Sequence, residues 1–214
     1  LAITARFFLY TILTPHKYFF MRNESDLFYN VKKSKGVYMQ NLIFKGVATA
    51  LVTPFLPTGE INFTALENLI ESQIEGGCDA LLVGGTTGES AALSDEEKSA
   101  IASFAAKIIR KRVPLIAGAG SNYTAKAAKN CAEMEKAGAD ALLLVTPYYN
   151  KCTKKGLIAH YKECAKASAL PFILYNVPQR TGVNILPETY EDLLKIPNVK
   201  AVKEASGDVR QASR

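Results

Sequence analysis

The chain has 214 residues, 48% hydrophobic and 21% charged, the make-up of a globular protein with one sizeable core. No apolar run approaches the roughly 18 residues of a membrane-spanning helix, so no membrane partner is expected. The net charge of +6 does not point to nucleic acid either: residues 1–39 hold six Lys/Arg and two Asp/Glu, and the rest of the chain holds twenty and eighteen, which leaves the body without a basic footprint.

Residues 1–39 are unlike the body of the chain. They carry nine of the twenty Phe and Tyr residues, and "ARFFLYTILTPHKYFF" has no helical or strand period. Arg6 before a short apolar run suggests a signal peptide, but no A-x-A site comes after it. A natural N-terminal arm is a second reading. The preferred one is an upstream translation artefact, with Met39 as the true start and residues 1–38 a non-native or disordered extension. The four cysteines, Cys78, Cys131, Cys152 and Cys164, show no CxxC spacing. They read as free thiols of a cytoplasmic protein.

From Gly46 the order is regular. "GVATALV" (46–52) is expected to be a strand and 62–77 a helix, with Thr64 and Glu67 as a capping box. "DALLVG" (79–84) is a strand. The helix over 94–112 opens on the capping box Ser94/Glu97 and closes on a basic turn. Strand 113–120 and helix 123–138 come next, then strand 140–145, helix 154–168 and strand 171–176. Helix 187–196 starts at Pro187, and "NVKAVKE" (198–204) is the sixth strand. "GCDALLV" (77–83) and "GADALLLV" (138–145) echo each other as helix end, turn and strand.

Strands rich in Leu, Val and Ala without alternation predict a parallel sheet covered on both faces, in a (β/α)n architecture. A Rossmann sheet would carry GxGxxG after its first strand; here "TPFLPTGE" stands there. Polar residues collect instead behind several strands: "GGTTGES", "TPYYN", "YNVPQRTG" and "KEASG". Site residues spread over many strand ends are the mark of a TIM (β/α)8 barrel. The fold is therefore expected to be an incomplete barrel of about six βα units over residues 39–214.

Lysine suits strands poorly, yet the last strand holds Lys200 and Lys203. At a spacing of three they face opposite sides, so one should point inward. A lysine snorkelling to a strand end is the ordinary reading of Lys203. A desolvated, nucleophilic amine is the chemical one. Tyr175, one strand away, is either a core tyrosine or a proton-shuttling phenol. The "GGTTGES" turn is either a simple βα connection or a carboxylate-binding loop. Arg180 is either a solvated loop residue or a carboxylate clamp.

Together "GTTGES" (85–90), "TPYYN" (146–150), "YNVPQRTG" (175–182) and "VKEASG" (202–207) resemble the 4-hydroxy-tetrahydrodipicolinate synthase family, in order and in spacing, from about Phe44 to Arg214. The resemblance implies a lyase of the class I aldolase type in the diaminopimelate route to lysine. Pyruvate would form an imine with Lys203, and the enamine would attack L-aspartate 4-semialdehyde, with no cofactor beyond that covalent imine. It also implies a proton relay of Thr86, Tyr149 and Tyr175, a pyruvate carboxylate held by Thr87, and a semialdehyde carboxylate met by Arg180. Tyr149 would reach into a neighbouring subunit's site, in a homotetramer built as a dimer of dimers. The alternatives are a sibling such as N-acetylneuraminate lyase or a keto-deoxy sugar-acid aldolase, disfavoured by the second threonine of "TTGES" and the arginine of "PQRTG", and a catalytically inactive fragment, since six strands stop two short of eight. Lysine-sensitive relatives often carry histidines where Asp95 and Lys98 stand and a glutamate where Lys126 stands, so inhibition by lysine is expected to be weak or absent.

Overall fold

The computed structural model describes residues 42–213 and, as two short strands, Thr11–Thr14 and Lys17–Tyr18 (β1 and β2). The remaining strands are β3 (Ala48–Ala50), β4 (Ala80–Val83), β5 (Leu115–Gly118), β6 (Ala141–Val145), β7 (Phe172–Asn176) and β8 (Val199–Glu204). Between them run α1 (Phe63–Glu75), α2 (Asp95–Ile109), α3 (Thr124–Lys136), α4 (Lys154–Ala167), the one-turn α5 (Pro178–Thr181) and α6 (Pro187–Leu193). One turn, α7 (Val209–Ala212), comes after β8. All six strands and five helices expected from the sequence are present.

Strands β3 to β8 pair in parallel in their chain order, without a reversal. A doubly wound sheet reverses at a switch point; a barrel does not. The sheet also curls. Ala48 of β3 and Ala201 of β8 share one interior cluster with Leu82, Ile116, Leu143 and Ile173. The opposite face packs Leu81, Leu115, Leu142, Leu174 and Val202 against the helices. Burial on both faces is why these strands read as continuous apolar runs. The architecture is the six-stranded arc of a TIM barrel.

Local chemistry sets the element ends. Ser94 and Glu97 form the expected capping box on α2. The expected box on α1 is corrected: Asn62 is the N-cap, and its side chain accepts from the Ala65 N–H at 3.0 Å. Thr64 already lies inside the first turn. An asparagine two residues earlier offers the same acceptor at the right place. Gly118 ends β5 so close to β4 that a Cβ there would overlap the Gly84 carbonyl. Three one-turn pieces escape a search for periodicity: α5, α7 and a 3-10 turn at Ser90–Ala92.

The aromatic-rich N-terminal segment has no strand period, yet β1 pairs antiparallel with β8, Thr11 opposite Val202 and Ile12 opposite Ala201. The backbone groups on that edge of β8 accept any extended partner, whatever its side-chain alternation. The remaining readings for residues 1–38 and Met39 fall outside the described residues. The four cysteines are free, with Cys131 and Cys164 buried. Among the described residues no helix is long and apolar enough to cross a membrane.

The corrected cap makes a prediction. Asn62→Ala should cost about 1 kcal/mol of stability, while Thr64→Ala should stay within about 0.5 kcal/mol of the parent. Denaturant unfolding of the two variants checks the order; a larger loss for Thr64→Ala would reinstate the other cap.

Candidate active site

The inward lysine is Lys203, and a slip in register puts it there. Phe172 pairs with Val199, but the next residue of β7, Ile173, pairs with Ala201. Lys200 is therefore an extra residue in β8, exposed to solvent. The extra residue shifts the phase of the strand. After it, Ala201 joins the interior cluster, Val202 the outer one, and Lys203 turns inward, 4% exposed.

Tyr175 of β7 pairs directly with Lys203 and is itself buried. The Lys203 ammonium lies 4.4 Å from the Tyr175 ring centroid, a cation–π distance. Burial pushes the Lys203 pKa down, and the positive charge of Arg180 pushes it further, to about 8. Both influences disfavour the ammonium.

A cavity of about 660 Å³ opens at the C-terminal strand ends. Thr86, from the turn after β4, and Tyr175 and Arg180, from β7 and the turn directly after it, line it together. Lys203 is not among its lining residues; it lies against the ring of Tyr175, which is. The glycine-rich turn that carries Thr86 is tied down from β3's side, where the buried Thr53 hydroxyl donates to the Gly88 carbonyl at 2.7 Å. Within the turn the Glu89 N–H donates to the Thr86 carbonyl at 3.1 Å.

Two expected site residues are not gathered here. Thr87 is exposed and does not line the cavity. Tyr149 is 90% exposed, at a left-handed φ of 72°, and also stands outside it, while its neighbour Tyr148 lines the wall. Residues that the sequence did not single out contribute as well: Glu89, Ser121 and Tyr123 line the cavity. The available signal was the polar "SNY" behind the third barrel strand, a strand end like the others.

Lys98 and Lys126 occupy another part of the wall. Asp95 pairs with Lys126 at 3.1 Å and with Lys129 at 3.7 Å. Its carboxyl is held below the usual range, chiefly by Lys126. Burial, then Lys126, lowers the pKa of Lys98. Among the described residues no group of His, Cys, Asp and Glu could hold a metal ion.

A sequence profile of the dihydrodipicolinate synthetase family matches residues 43–214. The 4-hydroxy-tetrahydrodipicolinate synthase of Syntrophus aciditrophicus is 52% identical over 169 residues, which are 79% of this chain and 58% of the relative. Among solved structures, the dihydrodipicolinate synthase of Thermotoga maritima superposes with a TM-score of 0.77 at 44% identity, over 79% of this chain and 58% of that one. The enzyme of Acinetobacter baumannii, solved with pyruvate, gives 0.74 at 46% identity, over 76% and 56%. The chain thus spans a little over half the length of the relatives it matches.

The buried amine has a stability signature. In the unfolded chain a lysine keeps its ordinary pKa near 10.4; in the fold Lys203 titrates near 8. Between these values the unfolded chain binds more protons, so stability rises with pH across that window. Below it the folded protein carries the full cost of a buried ammonium. Lys203→Met should stabilise the fold at pH 7 by on the order of 1–3 kcal/mol, and the gain should shrink above pH 8. Thermal unfolding of both proteins across this range tests it; a pH-independent difference would contradict the assignment.

Proposed function

The chain belongs to the dihydrodipicolinate synthetase family, and from that premise we propose that it acts as a 4-hydroxy-tetrahydrodipicolinate synthase, condensing pyruvate with L-aspartate 4-semialdehyde through an imine on Lys203. The observation that carries this reading is the pairing of a buried amine of depressed pKa with Tyr175 in register beside it, at the edge of a cavity that Arg180 enters.

The roles come from the chemistry. The neutral Lys203 amine adds to the ketone carbon of pyruvate. The carbinolamine needs a proton on its departing oxygen, and the Tyr175 hydroxyl is the acid placed for it. Water leaves and an iminium remains. Loss of a methyl proton gives the enamine, whose carbon forms the new bond to the semialdehyde carbonyl. The substrate amine then adds to the imine carbon, closing the ring and releasing Lys203. The carbon nucleophile arises on the imine itself, so the route calls for no cofactor. Arg180 offers a planar cation to a substrate carboxylate, and its charge also favours the neutral form of Lys203. Thr86 lines the same cavity as Tyr175, which supports a role in passing protons between it and the opening. Thr87 is the less direct partner for the pyruvate carboxylate, through its place in the same turn.

Tyr149 fits a role outside its own cavity. Its ring is held out in solvent by a left-handed turn, as a residue completing a neighbour's relay would be. We therefore read the whole protein as a homotetramer, a dimer of dimers, acting in the cytoplasm.

The functional test is trapping. With pyruvate and borohydride the protein should be covalently labelled, and Lys203→Ala should abolish the label. Full labelling of that variant would remove Lys203 from the mechanism. Tyr175→Phe should lower turnover about 10²–10⁴-fold; a loss under about threefold would leave Tyr175 as core alone. Imine formation without condensation would point to a sibling aldolase.

Lysine inhibition should be weak. Lys98, Lys126 and Lys129 cluster around Asp95, which already pairs with Lys126 and Lys129. The ammonium groups of a lysine effector would meet net positive charge. Half-inhibition of condensation below about 1 mM, the scale of −4.1 kcal/mol of binding, would overturn this.

A further inference from the structure

Asn176 ends β7 and is completely buried. Its amide is fully used. The Nδ2 group donates to Asn184 Oδ1 at 2.8 Å and to both carboxylate oxygens of Glu204, at 3.0 and 3.1 Å. Its Oδ1 accepts from the Ile185 N–H at 2.9 Å. One side chain thus holds both ends of the 177–185 connection and fastens them to β8, one residue after Lys203. Arg180 stands in the middle of that connection, in the single turn of α5.

The rest of the polar group reinforces the tie. Glu204 also accepts from the Ser206 N–H at 2.7 Å and from Gln211 Nε2 at 3.2 Å. Asn184 Nδ2 donates to Gln211 Oε1 at 2.9 Å, and Gln179, next to Arg180, donates to the Ser206 carbonyl at 2.8 Å. The Asn184–Gln211 and Gln179–Ser206 bonds run between the Arg180 connection and the segment just after Lys203, while the Ser206 and Gln211 bonds to Glu204 brace that segment within itself. They lie on the outer side of the sheet, away from the cavity, and none of these side chains lines it.

We infer that Asn176 is a positioning residue: its amide locks the Arg180 loop to the Lys203 strand, and so fixes where the carboxylate of the aldehyde substrate sits relative to the imine. The inference rests on the reaction proposed above. Imine formation with pyruvate uses Arg180 only through its charge near Lys203, not as a carboxylate clamp. Condensation also needs Arg180 in place, so loosening the tie should separate the two.

The test uses the whole protein with Asn176→Asp. That change deletes the three Nδ2 donor bonds and sets a second carboxylate against Glu204, a repulsion that frees the loop. The KM for L-aspartate 4-semialdehyde should rise at least tenfold while borohydride trapping of pyruvate keeps its wild-type extent. In the double variant Asn176→Asp/Glu204→Gln the donor and acceptor exchange sides, and the KM should return to within about threefold of the parent, the coupling expected of a direct pair. A KM unchanged in Asn176→Asp, or a parallel loss of trapping with no recovery in the double variant, overturns the inference. If Asn176→Asp does not fold, Asn184→Ala at the exposed end of the tie decides: a threefold or larger rise in the same KM with trapping intact supports it, and no rise overturns it. Failure of the underlying reaction would look different, because the parent itself would neither trap pyruvate nor condense.

Discussion

An amine placed inside a sheet is the constraint on which the site depends. A buried ammonium is costly, so such a group survives either by pairing with an acid or by releasing its proton more readily. For Lys203, burial and the charge of Arg180 both lower the pKa. This outcome requires a position on the concave face, beside a ring that tolerates either protonation state, and a nearby cation. β8 supplies the first through the extra residue Lys200. β7 supplies the second through Tyr175, and the turn after it the third through Arg180.

The interior of the arc makes room for this. Small residues, Ala48, Ala80, Ala141 and Ala201, alternate in the inner cluster with Leu82, Ile116, Leu143 and Ile173. Filling a curved interior requires such size variation. Toward the C-terminal strand ends the lining changes to Tyr175, and beyond it the cavity opens among loops. Strands thus provide rigid placement for Lys203 and Tyr175, and connections bring Thr86 and Arg180 to the cavity wall.

Much of this was legible in the sequence for identifiable reasons. Every barrel strand and long helix announced itself, because two-sided burial leaves unbroken apolar runs and most helix starts carry Ser, Thr, Asn or Pro. The inward lysine was legible from the spacing of Lys200 and Lys203, but the slip that produces it was not. Simple alternation from Val199 would also place Lys203 inward, yet it would place Val199 there too, and Val199 packs with the outer cluster instead. The cap on α1 was misplaced because Thr64 and Glu67 satisfy the same spacing rule one turn fragment too late. The gathering of Thr86, Tyr175 and Arg180 came from strand-end logic. The outward stance of Tyr149 did not, because it depends on a positive φ that no residue type around it signals.

Glu204 shows how strand geometry protects the chemistry next door. It comes directly after Lys203, and a carboxylate turned toward that amine would stabilise the ammonium and raise its pKa. Alternation sends it to the other face. There its charge meets hydrogen-bond donors that are formally neutral, the Asn176 and Gln211 amides and the Ser206 N–H. These donors occupy both of its oxygens. The acid therefore anchors the connection that carries Arg180 without entering the electrostatics of the inner face. A strand that displayed lysine and glutamate on the same side would favour an ion pair and a stabilised ammonium; on opposite sides, the same two residues give a lysine of depressed pKa and a fixed frame around it.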